Sequence, residues 1–214
     1  MSLLEVVARK VVYRIPGVSL PKDCLADLAQ LVASTSWLPD PEVVRAFDRK
    51  AVFPSIRANK EHKRRTPILQ GEKTIGVYDD NCTPMWAIMW SHGYPGIGRY
   101  VPDYALAHVY GCPQNIDAFT NLANLLLVPK FFASLTDGDG PLLPYLKYHS
   151  LHVYDWHPKS PEKIEIPKPE GYDSVQWRYL EAKPGDPHEL IGTHIRESKG
   201  EIARFLRSVR SDWR

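Results

Sequence analysis

Apolar positions recur along this 214-residue chain in short blocks rather than in one long stripe. The first block, Leu3, Leu4, Val6, Val7, Val11, Val12 and Ile15, fits a strand or a helix equally well. Past Ser19-Leu20-Pro21, the spacing of Leu25, Leu28, Ala29 and Val32 predicts an amphipathic helix with proline in its first turn. A second helix is predicted from Pro41, carrying Val43, Val44 and Phe47. The stretch that follows runs through Pro54 and Pro67 and reads as a mobile loop. From Lys73 to Trp90 the pattern is β-like, with Ile75, Val77 and Tyr78, then Met85 to Trp90, joined by a turn at Asp79-Asp80-Asn81. The glycines between Gly93 and Gly98 form a loop, because no clear strand and helix flank them as a nucleotide fingerprint requires.

The segment from residue 104 to 137 has a distinctive order. Tyr104 to Val109 reads as a short strand, residues 110–120 as a polar loop, and Leu125 to Val128 as a second strand. Pro129 fits the first position of a short helix that Asp137-Gly138-Asp139-Gly140 would end. Pro141 opens a further helix with Leu142, Leu143, Tyr145 and Leu146. Residues 158–187 hold six prolines with little periodicity and read as a surface wrap. A closing helix sets Ile202, Phe205, Leu206, Val209 and Trp213 on one face and Arg207, Arg210 and Arg214 on another. The fold class expected is α+β, helices around a small antiparallel sheet, as a single domain over residues 1–214. Its parts would be an N-terminal helical and basic segment (1–70), a core near 100–140, and a C-terminal wrap with a basic helix (158–214).

Composition narrows the class. With 43% hydrophobic and 24% charged residues the chain is a globular one, and 19 prolines against 13 glycines point to interrupted elements. No apolar run is long enough to cross a bilayer, and no secretory leader pattern is seen. Cys24, Cys82 and Cys112 are odd in number and far apart, so neither a disulfide framework nor a cysteine zinc knuckle is indicated. The expectation is a cytoplasmic protein with no membrane partner. The formal net charge of +2 conceals an uneven division. Arg45 to Arg65 carries a net +6 and Arg196 to Arg214 a net +3, leaving −7 elsewhere. Cations gathered this way suit a polyanion, since each releases counterions condensed on phosphates. Arg57, Lys60, Lys63, Arg64, Arg65, Arg207 and Arg210 are the candidate nucleic-acid contacts.

Within the strand–loop–strand–helix segment, His108 lies on the first strand and Asn124 opens the second, sixteen positions on. With Ala-His-Val-Tyr at one end and Asn-Leu-Leu-Leu-Val-Pro-Lys at the other, residues 103–137 resemble the HNH, or ββα-metal, nuclease family. The resemblance implies a ββα-metal unit in which His108 is the general base and Asn124 holds the loop and histidine in place. Asn121, followed by Leu122, competes for the second role. It further implies DNA (or RNA) as partner and a divalent metal as cofactor, Mg²⁺ first, with Mn²⁺ or Zn²⁺ as alternatives. The residue types suit the chemistry. Imidazole can deprotonate water near neutral pH, and a cation stabilises the charged transition state of phosphodiester hydrolysis.

Two positions depart from the family pattern. Ala107 stands where many members carry a metal-binding Asp, and Ala133 where a helical His or Asn is usual. Asp137, Asp103 and Asp117 are the candidate replacement ligands, and spacing does not choose among them. Other constellations are weaker. His149, His152 and His157 with Asp155 do not share a helix face, and His188, Glu189 and His194 miss the HExxH spacing. Trp86, Trp90, Trp156 and Trp177 suit core packing better than base stacking. The expected function is a metal-dependent endonuclease of DNA, of a restriction, defence or mobile-element kind. The alternatives are a non-catalytic nucleic-acid-binding protein on a degenerate scaffold and a protein-interaction module. A homodimer would suit an enzyme that cuts both strands, though no residue pattern requires one.

Overall fold

Leu125 to Pro129 is buried at every position, and a strand buried on both faces marks the middle of a molecule. The computed structural model describes residues 22–95, 102–159, 164–198, 200, 203, 204, 206 and 207. Its order is α1 (Lys22–Thr35), α2 (Pro41–Ala46), β1 (Ser55–Arg57), β2 (Pro67–Gln70), β3 (Lys73–Asp79), α3 (Cys82–Ser91), β4 (Tyr104–His108), β5 (Leu125–Pro129), α4 (Ala133–Thr136), α5 (Leu143–Val153) and α6 (Pro187–Glu197). The architecture is mixed α+β, with a three-stranded sheet in the order β1-β3-β2 and a two-stranded sheet of β4 and β5.

β4 and β5 pair antiparallel, from Tyr104 opposite Pro129 to His108 opposite Leu125. Trp37 adds a rung on the other edge of β5, exchanging two 2.9 Å hydrogen bonds with Leu127. Its neighbour Leu38 pairs with Tyr179, so residues 37–38 join the central hairpin to the C-terminal wrap. α1 packs its Leu28, Ala29 and Val32 face into this core. α2 begins as its sequence suggests: Asp40 accepts from the Glu42 N–H at 2.8 Å, and Pro41 occupies the first turn. The block from Leu3 to Ile15 and the Ser19-Leu20-Pro21 start lie outside the described residues.

Three sequence expectations change. The basic stretch is not a loop free of the fold: β1 runs parallel to β3, β2 antiparallel to it, and the connection between them is pinned. Ala58 N–H donates to the Asp79 carbonyl at 2.7 Å, Asn59 Oδ1 accepts from Glu61 and His62, and Arg65 N–H donates to Tyr78. Met85 to Trp90 is helix, not strand. Asp80 Oδ1 receives the Cys82 N–H at 2.8 Å and starts α3, whose Ala87, Ile88, Met89 and Trp90 are all buried. A helix apolar all round carries no amphipathic period, so so short an apolar run cannot be told from a strand. Finally, α6 follows the wrap, capped by Asp186 and buried through Ile191 and Ile195. Of the expected closing helix, the described residues 203, 204, 206 and 207 are helical. No helix among the described residues is long and apolar enough to cross a membrane.

Two buried histidines bind elements together. His92, at the end of α3, accepts the Asp40 N–H on Nε2 at 3.0 Å and lies 2.6 Å from the Ile88 carbonyl through Nδ1. An N–H on one side and a carbonyl on the other fix the neutral tautomer with its proton on Nδ1. Burial lowers its pKa to about 4. His149 of α5 sits between the Tyr172 hydroxyl at 2.8 Å and the Tyr179 hydroxyl at 3.4 Å, holding the wrap to α5. Burial lowers its pKa to about 3.

Candidate functional site

The hairpin register places His108 at the end of β4, beside the start of β5. The loop that follows returns so that the Phe119 carbonyl lies 3.1 Å from His108 Nε2, and the two rings stack nearly parallel at 5.4 Å. A carbonyl only accepts, so Nε2 must carry the proton and the Nδ1 lone pair is left to act as a base. His108 is half-buried. Burial lowers its pKa and Arg57 adds to this, while the Phe119 hydrogen bond and Asp137 oppose it. The result is an imidazole biased to the neutral form.

Phe119 is held on both sides. Asn124, itself buried, donates from Nδ2 to the Ala118 carbonyl at 2.9 Å, and its Oδ1 accepts the Tyr110 N–H at 2.7 Å. Thr120 donates to the Phe53 carbonyl at 2.6 Å and accepts the Phe53 N–H at 2.9 Å. The 110–118 loop is thereby closed onto β5 and tied to the segment entering β1. Asn121 does different work. Its Oδ1 caps the turn at Leu122 by accepting the Ala123 N–H, and its Nδ2 reaches the Arg49 carbonyl at 2.7 Å.

Of the three candidate carboxylates, Asp137 is the one whose charge acts on His108. α4 runs back along the hairpin and ends at Asp137, exposed and close enough for its charge to act on the imidazole. Asp103 precedes β4, and the strand rise of about 3.4 Å per residue puts it some five residues from His108, at the far end of the hairpin. Asp117 lines a separate surface depression with Lys50 and Lys73. Ala107 is buried against the core, so the position before His108 faces away from the site. Among the described residues no group of three or more His, Cys, Asp or Glu side chains is arranged to hold a metal. The local donor set is therefore one carboxylate, Asp137, because the single free lone pair of His108, on Nδ1, is the one left to act as a base. That set fits a hard cation keeping most of its waters, such as Mg²⁺, and not an all-protein cage.

The basic residues divide. Arg57 on β1 is exposed, donates to Asn81 Oδ1, and lies close enough to lower the His108 pKa. Lys60 and Lys63 are exposed in the pinned connection and make no ion pair among the described residues. Arg64 is engaged within the protein, donating to the wholly buried Asp79 at 3.0 Å and to Asp80 at 2.8 Å. Arg65 adopts a left-handed backbone, φ 68°, where its N–H meets Tyr78. Arg207 donates to the Ile195 and Ser198 carbonyls at the end of α6, so its guanidinium is spent on the fold. Arg210 lies outside the described residues.

The other constellations come apart. His149 is enclosed by tyrosines, His152 is exposed against Tyr148, and Asp155 pairs with Arg49. His188 contacts the Ala46 carbonyl while His194 packs near Trp90. Trp90 and Trp156 are buried, Trp86 and Trp177 half-buried against the core. What sequence reasoning missed is the Phe119 carbonyl and the Thr120–Phe53 tie behind it. Neither carries a local signal, because the partner of each is 11 and 67 residues away. No family model, curated protein or solved structure matches the chain.

Proposed function

We propose that this chain is a metal-dependent HNH-type endonuclease that hydrolyses DNA phosphodiester bonds, with residues 103–137 as its ββα-metal unit. The single observation that carries the reading is the His108 tautomer. An imidazole whose Nε2–H is committed to a fixed carbonyl presents Nδ1 as acceptor, and that is what a general base for water requires. His108 Nδ1 takes the proton of the attacking water. Asn124 is a positioning residue: it fixes the loop that supplies the Phe119 carbonyl. Asp137 would hold a divalent cation, Mg²⁺ or Mn²⁺, through its carboxylate, and the cation when bound would stabilise charge on the phosphate and the leaving oxygen. Arg57 faces the same phosphate, and Lys60 and Lys63 neutralise neighbouring ones.

The test is nicking of supercoiled plasmid with Mg²⁺ or Mn²⁺ by the wild-type chain and His108→Ala. Loss of a general base is expected to slow cutting by about 10²–10⁴-fold. Equal rates would remove His108 from the mechanism. The sparse donor set favours a second reading, a DNA-binding protein on the same scaffold without cleavage. Salt-dependent DNA binding with no cutting in any divalent metal would select it.

A further inference from the structure

A groove of about 710 Å³ opens where the candidate site ends. Its walls continue the two chain segments that carry His108 and Asp137: Tyr110 lies two residues past the imidazole, and Gly138 to Gly140 follow the carboxylate directly. The opposite wall is Lys147 of α5 with His157 and Lys159.

The groove is largely apolar, lined by Leu143, Pro144, Pro158, Ile166 and Pro167, and its cations are Lys147 and Lys159. The Lys147 ammonium, half-buried, lies 5.6 Å over the Tyr110 ring, and no carboxylate pairs with it among the described residues. Lys159 is exposed and likewise makes no ion pair among them. His157 Nδ1 lies 3.0 Å from the Lys159 N–H and 3.1 Å from the Lys159 carbonyl. His157 stands edge-on to Tyr110 at 4.9 Å. The Tyr110 hydroxyl is buried with no hydrogen-bond partner among the described residues. A half-buried ammonium with no counter-ion among the described residues is completed by an anionic oxygen. Asp139 is the one acid on the rim.

We infer that this groove seats the DNA backbone next to the hydrolysed bond, with Lys147 and Lys159 on the phosphates of the same strand. The assignment rests on the nuclease reading for the position of the scissile phosphate, but its binding chemistry does not need cleavage. The test is fluorescence anisotropy of a labelled DNA duplex with the full chain in EDTA, over a series of salt concentrations. The Lys147→Gln/Lys159→Gln variant is expected to bind about 10-fold more weakly at low salt, with a log–log salt slope shallower by about 1–2. Lys147→Arg/Lys159→Arg is expected to restore affinity, which separates charge loss from misfolding. Unchanged affinity and slope in the glutamine variant would overturn the groove, even if the wild type cuts plasmid. Groove-dependent binding without cutting in Mg²⁺ or Mn²⁺ would uphold the groove and overturn the nuclease reading. A wild-type chain that binds no DNA overturns both.

Discussion

With Nε2 of His108 committed to Phe119, the charges around the ring decide its protonation, and their directions are opposed. Burial comes first and favours the neutral ring; Arg57 adds to it; Asp137 works against it. Arg57→Gln should therefore raise the His108 pKa and Asp137→Asn lower it further. Both shifts are readable from the imidazole C–H resonance in an NMR titration without any cleavage assay. A movement of either variant in the other direction would mean that these groups do not face the ring. Asn124 offers a second test at this scale. Asn124→Ala leaves the Tyr110 N–H and the Ala118 carbonyl buried without their partner. A cost of about 2–4 kcal/mol is expected in urea denaturation, since each orphaned buried group costs roughly 1–3 kcal/mol.

The elements around the site depend on close backbone approach. Gly76 lies in the middle of β3, and a Cβ there would meet the Pro54 carbonyl oxygen at 2.6 Å and Ile116 Cδ1 at 3.0 Å. The carbonyl belongs to the chain entering β1 and cannot swing aside. Gly76→Ala should force β1 away from β3 and destabilise by about 1–3 kcal/mol, the usual penalty of overpacking. Because Arg57 ends β1 and its N–H donates to the Pro113 carbonyl, the same change should reach the loop beside His108. Thermal denaturation checks the first effect. A lowered melting temperature with an unmoved His108 resonance would show that the sheet and the site are independent.

At the scale of the whole molecule, His92 and His149 make stability depend on pH. Both have folded pKa values pushed down by burial, to about 4 and about 3, against about 6.5 for a free imidazole. Unfolding in that interval takes up protons, so their contribution is complete above pH 6.5 or so. It is lost as pH falls toward the folded values. Two protons correspond to a slope of up to about 2.7 kcal/mol per pH unit. Urea unfolding between about pH 6 and 4.5 should show it, and His149→Gln should remove roughly half of the slope. An unchanged slope would mean that His149 is not kept neutral by the Tyr172 and Tyr179 cage.

Local pattern was enough for the hairpin. An apolar block from Tyr104 and an uninterrupted apolar run behind Asn124 gave β4 and β5 to within a residue, while the helix expected from Pro129 starts only at Ala133, Pro129 itself being the last residue of β5. Pro41, with Val43, Val44 and Phe47 behind it, likewise placed α2. The same local information misread Met85 to Trp90, since burial on every side erases the period that separates helix from strand. It also left the basic stretch a loop, because β1 and β2 exist only by pairing with β3. Which of Asp103, Asp117 and Asp137 approaches the imidazole was a matter of strand register. Which arginines remain for a phosphate was settled by buried partners such as Asp79 and the carbonyls ending α6. Residue type and short-range spacing are properties of the chain alone. The tautomer of His108, the pairing of each charge and the groove beyond Asp137 arise from contacts between distant segments, and these exist only once the chain has folded.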